Sequence, residues 1–239
     1  KPLCTNPDQL KNIFKLLKLK KKKLNCNFVL RGVSEFIQLK RIIDQGKLGK
    51  IYYIEGDYNY GRLHKITKGW RSKLRNYSVT LGGTIHLIDL ILWLTKKKFL
   101  RVISEGNNIS TKNSNFKQND LVTSLIKMRD KSIVKLTANF GSKAPHHHLL
   151  KIYGTKGMFC KILGGSYYSF SNNPQKKIFY KKENKKKYYE SKQKVLNNFI
   201  NDLFYRRKLS MTHDEIYRAM EVAFLIDKSL KSKKWEHKI

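Results

Sequence analysis

The fold is decided by residues 82–94, which have the sequence GGTIHLIDLILWL. The two glycines interrupt the pattern before them, and Thr84 is a residue type that commonly caps the amino end of a helix. Isoleucine and leucine then recur three and four positions apart, which predicts a helix from Thr84 to about residue 94. This helix carries His86 and Asp89 three positions apart, on one face.

Around this helix the chain has the pattern of strands. Residues 51–60 are rich in tyrosine and isoleucine, which is typical of a long strand. In residues 133–140 apolar and polar side chains alternate, as in a strand with one face on a core. Runs at 102–109 and 121–128 flank that segment, and Asp130-Lys131 is a short turn. Neighbouring antiparallel strands are therefore expected.

Toward the amino end, apolar spacings of three and four predict helices over residues 7–20 and 34–45. A short buried strand is predicted between them, at residues 26–31.

Toward the carboxyl end, a hairpin over residues 149–162 and a helix with a broad apolar face at 195–204 are expected. Thr212 and Glu215 have the spacing of a capping box and open a last helix. The order of elements predicts an α+β fold, with an open, mostly antiparallel sheet covered by helices.

The 239-residue chain is strongly basic, with a formal net charge of +34. Such a charge is one signature of a nucleic-acid partner reached through phosphate contacts. Lysine, however, supplies 41 of the 51 basic residues, whereas bidentate recognition of phosphates and bases favours arginine. We therefore expect no specific nucleic-acid partner, and a basic nucleic-acid-binding protein is kept as an alternative.

Membrane, disulfide and metal classes are not favoured. No run approaches the roughly 18 apolar residues that span a bilayer, and the first residues lack a signal-peptide core, so a cytoplasmic protein is expected. The three cysteines, Cys4, Cys26 and Cys160, are odd in number and lie far apart, which fits neither a disulfide framework nor a zinc site. We expect them to be reduced thiols. Adjacent residues of a strand point to opposite faces, so His146–His148 converge poorly on one ion and no metal is expected.

Several segments, in a shared order, resemble the Gfo/Idh/MocA oxidoreductases of the glucose-fructose oxidoreductase and inositol dehydrogenase type. Residues 82–94 are the most specific, being similar to the family's Gly-Gly, His-x-x-Asp and Trp-Leu helix. Lys1-Pro2 resembles the end of its Glu-Lys-Pro motif, and residues 34–49 resemble its leucine-rich helix and Gly-x-x-Gly exit. Residues 69–71 resemble a substrate loop, and residues 152–157 a strand and turn near the end of the sheet.

The resemblance implies two unequal domains. Family members open with a Rossmann domain whose Gly-rich turn seats the pyrophosphate at a helix amino end. No G-x-G-x-x-G occurs in these residues. Residues 1–33 are then a remnant of the dinucleotide-binding Rossmann α/β unit, and residues 34–239 are the substrate-binding, catalytic and dimerisation domain. We expect a truncated, split or fragmentary gene whose product is inactive alone.

The resemblance also assigns catalytic residues. Oxidising a sugar hydroxyl needs a base for its proton while the nicotinamide accepts hydride, and the family's histidine in this role falls on His86. At the helix end capped by Thr84, the positive dipole would keep that ring neutral. The alternative is a core histidine bonded to Asp89. Lys1 would lie near the nicotinamide and the hydroxyl, so it is a catalytic and, with Pro2, a cofactor-binding candidate.

Candidates for substrate contact are residues suited to hydroxyls, phosphates or sugar faces: Arg31, Tyr60, Trp70, Arg71 and Asp89. Packing on a loop and a sheet edge is the alternative for them. Many family members place an aspartate four residues before the histidine, where this chain has Gly82.

The function implied by the resemblance is an NAD(P)-dependent oxidoreductase of a sugar, sugar nucleotide or cyclitol. NAD or NADP would need the missing half to bind, and a homodimer formed through the sheet is expected. A remnant without enzymatic activity, which only dimerises through its sheet, is the other alternative.

Overall fold

The computed structural model describes residues 1–74, 77–173, 179–182 and 185–237, with the backbone alone for residues 179–182 and 185–189. The helices are α1 (Pro7–Leu19), α2 (Ser34–Asp44), α3 (His64–Thr67), α4 (Ile85–Thr95), α5 (Lys185–Phe204) and α6 (His213–Ser232). The strands are β1 (Ile51–Asn59), β2 (Phe99–Asn107), β3 (Leu121–Met128), β4 (Ile133–Asn139), β5 (His147–Gly154), β6 (Met158–Ile162), β7 (Gly165–Ser169), β8 (Phe179–Lys182) and β9 (Glu236–His237).

The nine strands form one sheet in the order β8-β7-β6-β5-β1-β4-β3-β2-β9. Strand β1 runs parallel to β4, with Ile54 beside Val134, and antiparallel to β5. The other neighbouring pairs among these strands are antiparallel. The predicted α+β fold with an open, mostly antiparallel sheet is therefore confirmed.

One face of the sheet carries the core. Val134, Leu136 and Ala138 of β4 are buried there, and the residues between them are more exposed, as the alternation predicts. Helices α4 and α6 pack together over this inner face. The opposite, outer face is partly polar, with Glu55 bound to Lys135 at 2.7 Å and to Lys151 at 3.0 Å.

The start of α6 also follows its sequence signal. The capping box of α6 is formed, since the Thr212 hydroxyl accepts from the Glu215 amide at 3.2 Å and the Glu215 carboxylate accepts from the Thr212 amide at 2.8 Å. Within the described part of the chain no helix is both long and apolar enough to cross a bilayer.

The strand predicted at residues 26–31 is wrong. Val29–Gly32 form a 3-10 helix, and no described strand lies beside the segment. Phe28 and Leu30 are fully buried, and a short apolar run does not distinguish a strand from another buried segment.

The cap predicted at Thr84 is also wrong. Thr84 has helical angles, φ −57° and ψ −27°, and its side chain makes no capping bond, because a π-helical turn over Thr80–Thr84 precedes α4. The cap is Ser78, whose hydroxyl accepts from the Leu81 amide at 3.1 Å. The glycines continue the helix instead of breaking it. A Cβ on Gly83 would lie 2.6 Å from the ring of Tyr58.

Candidate active site

His86 lies where α4 crosses the carboxyl end of β1 and the amino end of β5. Its ring stacks on Tyr58 at 6.3 Å and meets His148 edge-on at 6.3 Å, measured between ring centroids. The side chain is buried, and its Nδ1 atom has no hydrogen-bond partner in the described structure. A buried ring nitrogen without a partner is a group available to a ligand.

Burial is the main reason that the His86 ring is neutral. It lowers the pKa of His86 well below its usual value, and the nearby Lys1 and His148 lower it further. The helix end is not the cause, because the helical backbone begins at Val79, about two turns earlier. His86 therefore has the proton-accepting form at neutral pH, for a reason that the sequence did not indicate.

The alternative bond between His86 and Asp89 is not formed. Both oxygens of Asp89 instead accept from Arg31, at 2.9 Å from Nε and 2.6 Å from Nη2. A second carboxylate, Glu215, lies 3.2 Å from Arg31 Nη1. Burial opposes the charge on Arg31, but the two carboxylates outweigh it and raise the pKa of the guanidinium. Two predicted substrate residues, Arg31 and Asp89, are thus bound to each other in the interior.

Lys1 reaches these rings from the start of the chain, and the site formed by His86, Tyr58, His148 and Lys1 is called the His86 pocket. Its ammonium donates to the Gly82 carbonyl oxygen and lies 5.8 Å from the centroid of the Tyr58 ring. Burial lowers the pKa of Lys1 to about 7, with Cys26 opposing and Arg71 assisting the change. The amine therefore exchanges a proton near neutral pH. Pro2, next to it, is partly buried.

Rings form a continuous wall beyond His86. Tyr60 is buried, with its centroid 5.8 Å from Tyr58 and 4.5 Å from Phe140. His146 lies 5.5 Å from Tyr60 and 5.1 Å from His148. The predicted Tyr60 is thus part of the pocket.

His146 and His148 also belong to the site, although from the sequence the histidine tract was weighed only as a metal site. Their spacing of two places both side chains on one face of β5, which was the signal available. Burial lowers the pKa of His146 to about 4. In the described ranges no group of three or more His, Cys, Asp or Glu is placed to hold a metal ion.

The predicted substrate loop forms the rim of this pocket. Trp70 is 59% exposed, and the Arg71 guanidinium lies 4.5 Å from its ring and 5.9 Å from that of Tyr77. Tyr77, which was not predicted as a site residue, fills the space beside Gly82. A Cβ on Gly82 would lie 2.0 Å from the Tyr77 hydroxyl oxygen.

The chain belongs to the Gfo/Idh/MocA family of oxidoreductases, because the model of the GFO/IDH/MocA C-terminal domain matches residues 36–160. The comparison with curated proteins gives no match.

Solved structures share the fold at low identity. A levoglucosan dehydrogenase in complex with NADH and levoglucosan has a TM-score of 0.85 at 16% identity, over 99% of this chain and 72% of that one. Myo-inositol 2-dehydrogenase from Lactobacillus plantarum has a TM-score of 0.83 at 18% identity, over 100% and 72%. Scyllo-inositol dehydrogenase from Lactobacillus casei, with bound NAD(H) and scyllo-inositol, has a TM-score of 0.78 at 18% identity, over 99% and 71%.

Proposed function

We propose that this chain is the substrate-binding and catalytic-base part of an NAD(P)-dependent oxidoreductase. The enzyme would act on a secondary alcohol of a sugar, sugar nucleotide or cyclitol. The observation that carries the proposal is the neutral, buried His86 ring, whose Nδ1 lacks a partner, in one pocket with Lys1. The similar structures that hold NAD(H) with scyllo-inositol, or NADH with levoglucosan, support this class of reaction.

His86 accepts the hydroxyl proton as the alcohol carbon is oxidised to a carbonyl. A bound NAD(P)⁺ would supply the acceptor for the hydride that leaves the same carbon. Lys1 orients the hydroxyl oxygen and stabilises its developing negative charge, because its ammonium is held against Gly82. The wall of Tyr58 and Tyr60 keeps water from this side of the reacting carbon.

The residues present fit only one end of the cofactor. Lys1 and Pro2 would hold the nicotinamide end, because Lys1 lies beside the orphaned ring of His86. No Gly-rich pyrophosphate turn occurs in the 239 residues, so a dinucleotide-binding domain must supply it. We propose that residues 1–33 continue such a domain and that residues 34–239 form the substrate domain. The first part packs on the second, for example Phe14 on Tyr217 at 5.0 Å.

We also propose a homodimer through the outer face of the sheet, the face that carries Tyr53, Glu55 and Lys135. Leu125 and Ile133 are exposed on it, at 42% and 38%, which favours a covered surface. Leu125→Glu should give monomers in light scattering where the parent chain gives dimers. Leu196→Glu, at a leucine of α5 that is 48% exposed, is the matched control. A monomeric parent chain at high concentration would contradict this proposal.

The experiment for the enzymatic function has two arms. In the first, calorimetric titration of NADH into the 239-residue chain should give no measurable binding. In the second, the chain joined to a Gly-rich dinucleotide-binding domain should reduce NAD⁺ or NADP⁺ in the presence of a sugar or cyclitol. Micromolar binding of NADH by the chain alone contradicts the division into domains, and a joined protein inactive on a broad panel of polyols contradicts the function.

A further inference from the structure

We propose that the substrate of this site carries an anionic group, a carboxylate or a phosphate ester, which Arg62 and Arg71 bind at the rim of the His86 pocket. The inference rests on the proposed function, since it names the substrate class of the same site.

Arg71 hydrogen-bonds the Tyr77 hydroxyl, and the other N–H groups of its guanidinium are left for a ligand. Its guanidinium lies 4.5 Å from the centroid of the Trp70 ring and 5.9 Å from that of Tyr77. A guanidinium packed on aromatic faces still presents its planar fork of N–H groups at its edge. Among residues 1–74, 77–173 and 190–237, no carboxylate forms an ion pair with Arg71.

Arg62 and Lys1 extend this arrangement along the aromatic wall. Arg62 lies 5.8 Å from the Tyr60 ring, and Lys1 lies 5.8 Å from the Tyr58 ring. Because Tyr58 and Tyr60 stack on each other at 5.8 Å, the two cations flank one continuous surface. Arg71 is close to Lys1 as well. It contacts Tyr77, and Tyr77 packs against Gly82, whose carbonyl oxygen accepts the hydrogen bond from Lys1.

Two buried cations elsewhere in the described structure have carboxylate partners. Arg31 pairs with Asp89 at 2.6 Å, and the buried Lys161 pairs with Glu35 at 2.9 Å. In the described part of the molecule, Lys1, Arg62 and Arg71 have no such ion pair. Burial lowers the pKa of Lys1 and of His146, and repulsion from a nearby arginine lowers each further, Arg71 for Lys1 and Arg62 for His146. A bound anion would relieve this repulsion and accept charge-assisted hydrogen bonds.

Carboxylate and phosphate share the chemistry that an arginine fork recognises, namely two oxygens able to accept in parallel. A uronate and a sugar phosphate are therefore the two sources to distinguish. The probes are D-glucuronate and glucose 6-phosphate, with D-glucose as the uncharged sugar of the same ring. Calorimetric titrations use the purified chain at about 0.15 M salt, because salt suppresses the diffuse attraction of its positive charge.

At least one anionic sugar should bind roughly tenfold or more tightly than glucose, and Arg71→Met should remove that advantage. The more strongly bound probe identifies the anionic group. Arg62→Met should weaken the same binding several-fold, and because Arg62 is exposed this second variant tests the proposal even where Arg71→Met misfolds. The matched control is Arg101→Met, since Arg101 lies 4.6 Å from the Trp235 ring, in the same type of contact on β2.

Three results would overturn the proposal: equal affinity for glucose and both anions, no binding of either anion, or equal losses from Arg101→Met and Arg71→Met. The last would show that only the overall charge of +34 attracts anions. Failure here is distinct from failure of the enzyme proposal. If the joined protein oxidises only neutral polyols, the enzymatic function is supported and the anion site is contradicted. If it binds anionic sugars at Arg71 but oxidises no polyol, the anion site is supported and the enzymatic function is contradicted.

Discussion

The Lys1 ammonium donates a hydrogen bond to the carbonyl oxygen of Gly82, a residue 81 positions further along the chain. Gly82 lies about one helical turn before His86, so the bond brings the amine to the side of the helix that carries the proposed base. Tyr77 packs against the same glycine and leaves no room for a side chain. The first residue of the chain and the helix of the site are therefore positioned by one contact.

Gly82→Ala should destabilise the protein by about 1 to 3 kcal/mol, because the new methyl group would lie 2.0 Å from the Tyr77 hydroxyl oxygen. In a Tyr77→Leu background the same change should cost less, since that oxygen is gone. Urea unfolding of the two single variants and the double variant measures this coupling. Equal costs in both backgrounds would show that Tyr77 does not limit the position.

Breaking the ion pair of Arg31 and Asp89 should cost about 3 to 5 kcal/mol, because one buried charge would lose its partner. Arg31→Met is the test variant, measured by chemical unfolding. Arg218→Met is its control. The Arg218 side chain pairs with Asp214 at 2.8 Å but is 41% exposed, so its loss should change stability by about 0.5 kcal/mol or less. Normal stability of Arg31→Met together with lost substrate binding would return Arg31 to the predicted substrate role.

Burial lowers the pKa of His148 well below its usual value. Such a histidine contributes stability that is present above its unfolded pKa of about 6.5 and is lost as the pH falls. When the pH falls from 7 to 5, the free energy of unfolding of the wild type should therefore decrease by about 2 kcal/mol more than that of His148→Phe. Unfolding curves at the two pH values give this difference, and parallel losses in the two proteins would contradict the buried neutral ring.

Asp227 should have the opposite pH dependence. Burial raises the pKa of its carboxyl group to about 6, against a hydrogen bond of 2.6 Å from Ser78, the cap of the helix that carries His86. The folded pKa then exceeds the unfolded one, so the carboxylate destabilises the fold increasingly as the pH rises from about 4 to 6. Between pH 4 and pH 8 the free energy of unfolding of Asp227→Asn should therefore rise by about 2 to 3 kcal/mol relative to that of the wild type. A stability difference independent of pH would contradict this shift.

Patterns that a single element imposes were predictable from the sequence. Residues of β4 alternate because one face of the strand meets the core, and the capping box at Thr212 depends only on residues three positions apart. The family resemblance also singled out His86, on the helix that was predicted after Gly83. Both kinds of signal are local, and the structure retains them.

Most of what the sequence did not predict depends on residues that lie far apart in the chain. Thr84 was a plausible cap, but Ser78 has that role because its hydroxyl is held by Asp227, 149 residues away. The pairing of Arg31 with Asp89, 58 positions apart, and the packing of Tyr77 on Gly82 have no local signature. Site residues that lie on different elements come together only once the sheet is formed.

The most direct test of the account is the effect of His86→Asn on kcat/KM in the chain joined to a dinucleotide-binding domain, with the sugar or cyclitol that the joined protein oxidises. His147→Asn is the control, because that side chain is next to the site in sequence and hydrogen-bonds to Asn59 at 3.2 Å. His86→Asn should lower kcat/KM by roughly 10² to 10⁴, the usual contribution of a general base, while the control stays near the parent value. A His86→Asn protein as active as the parent would show that His86 is not the base.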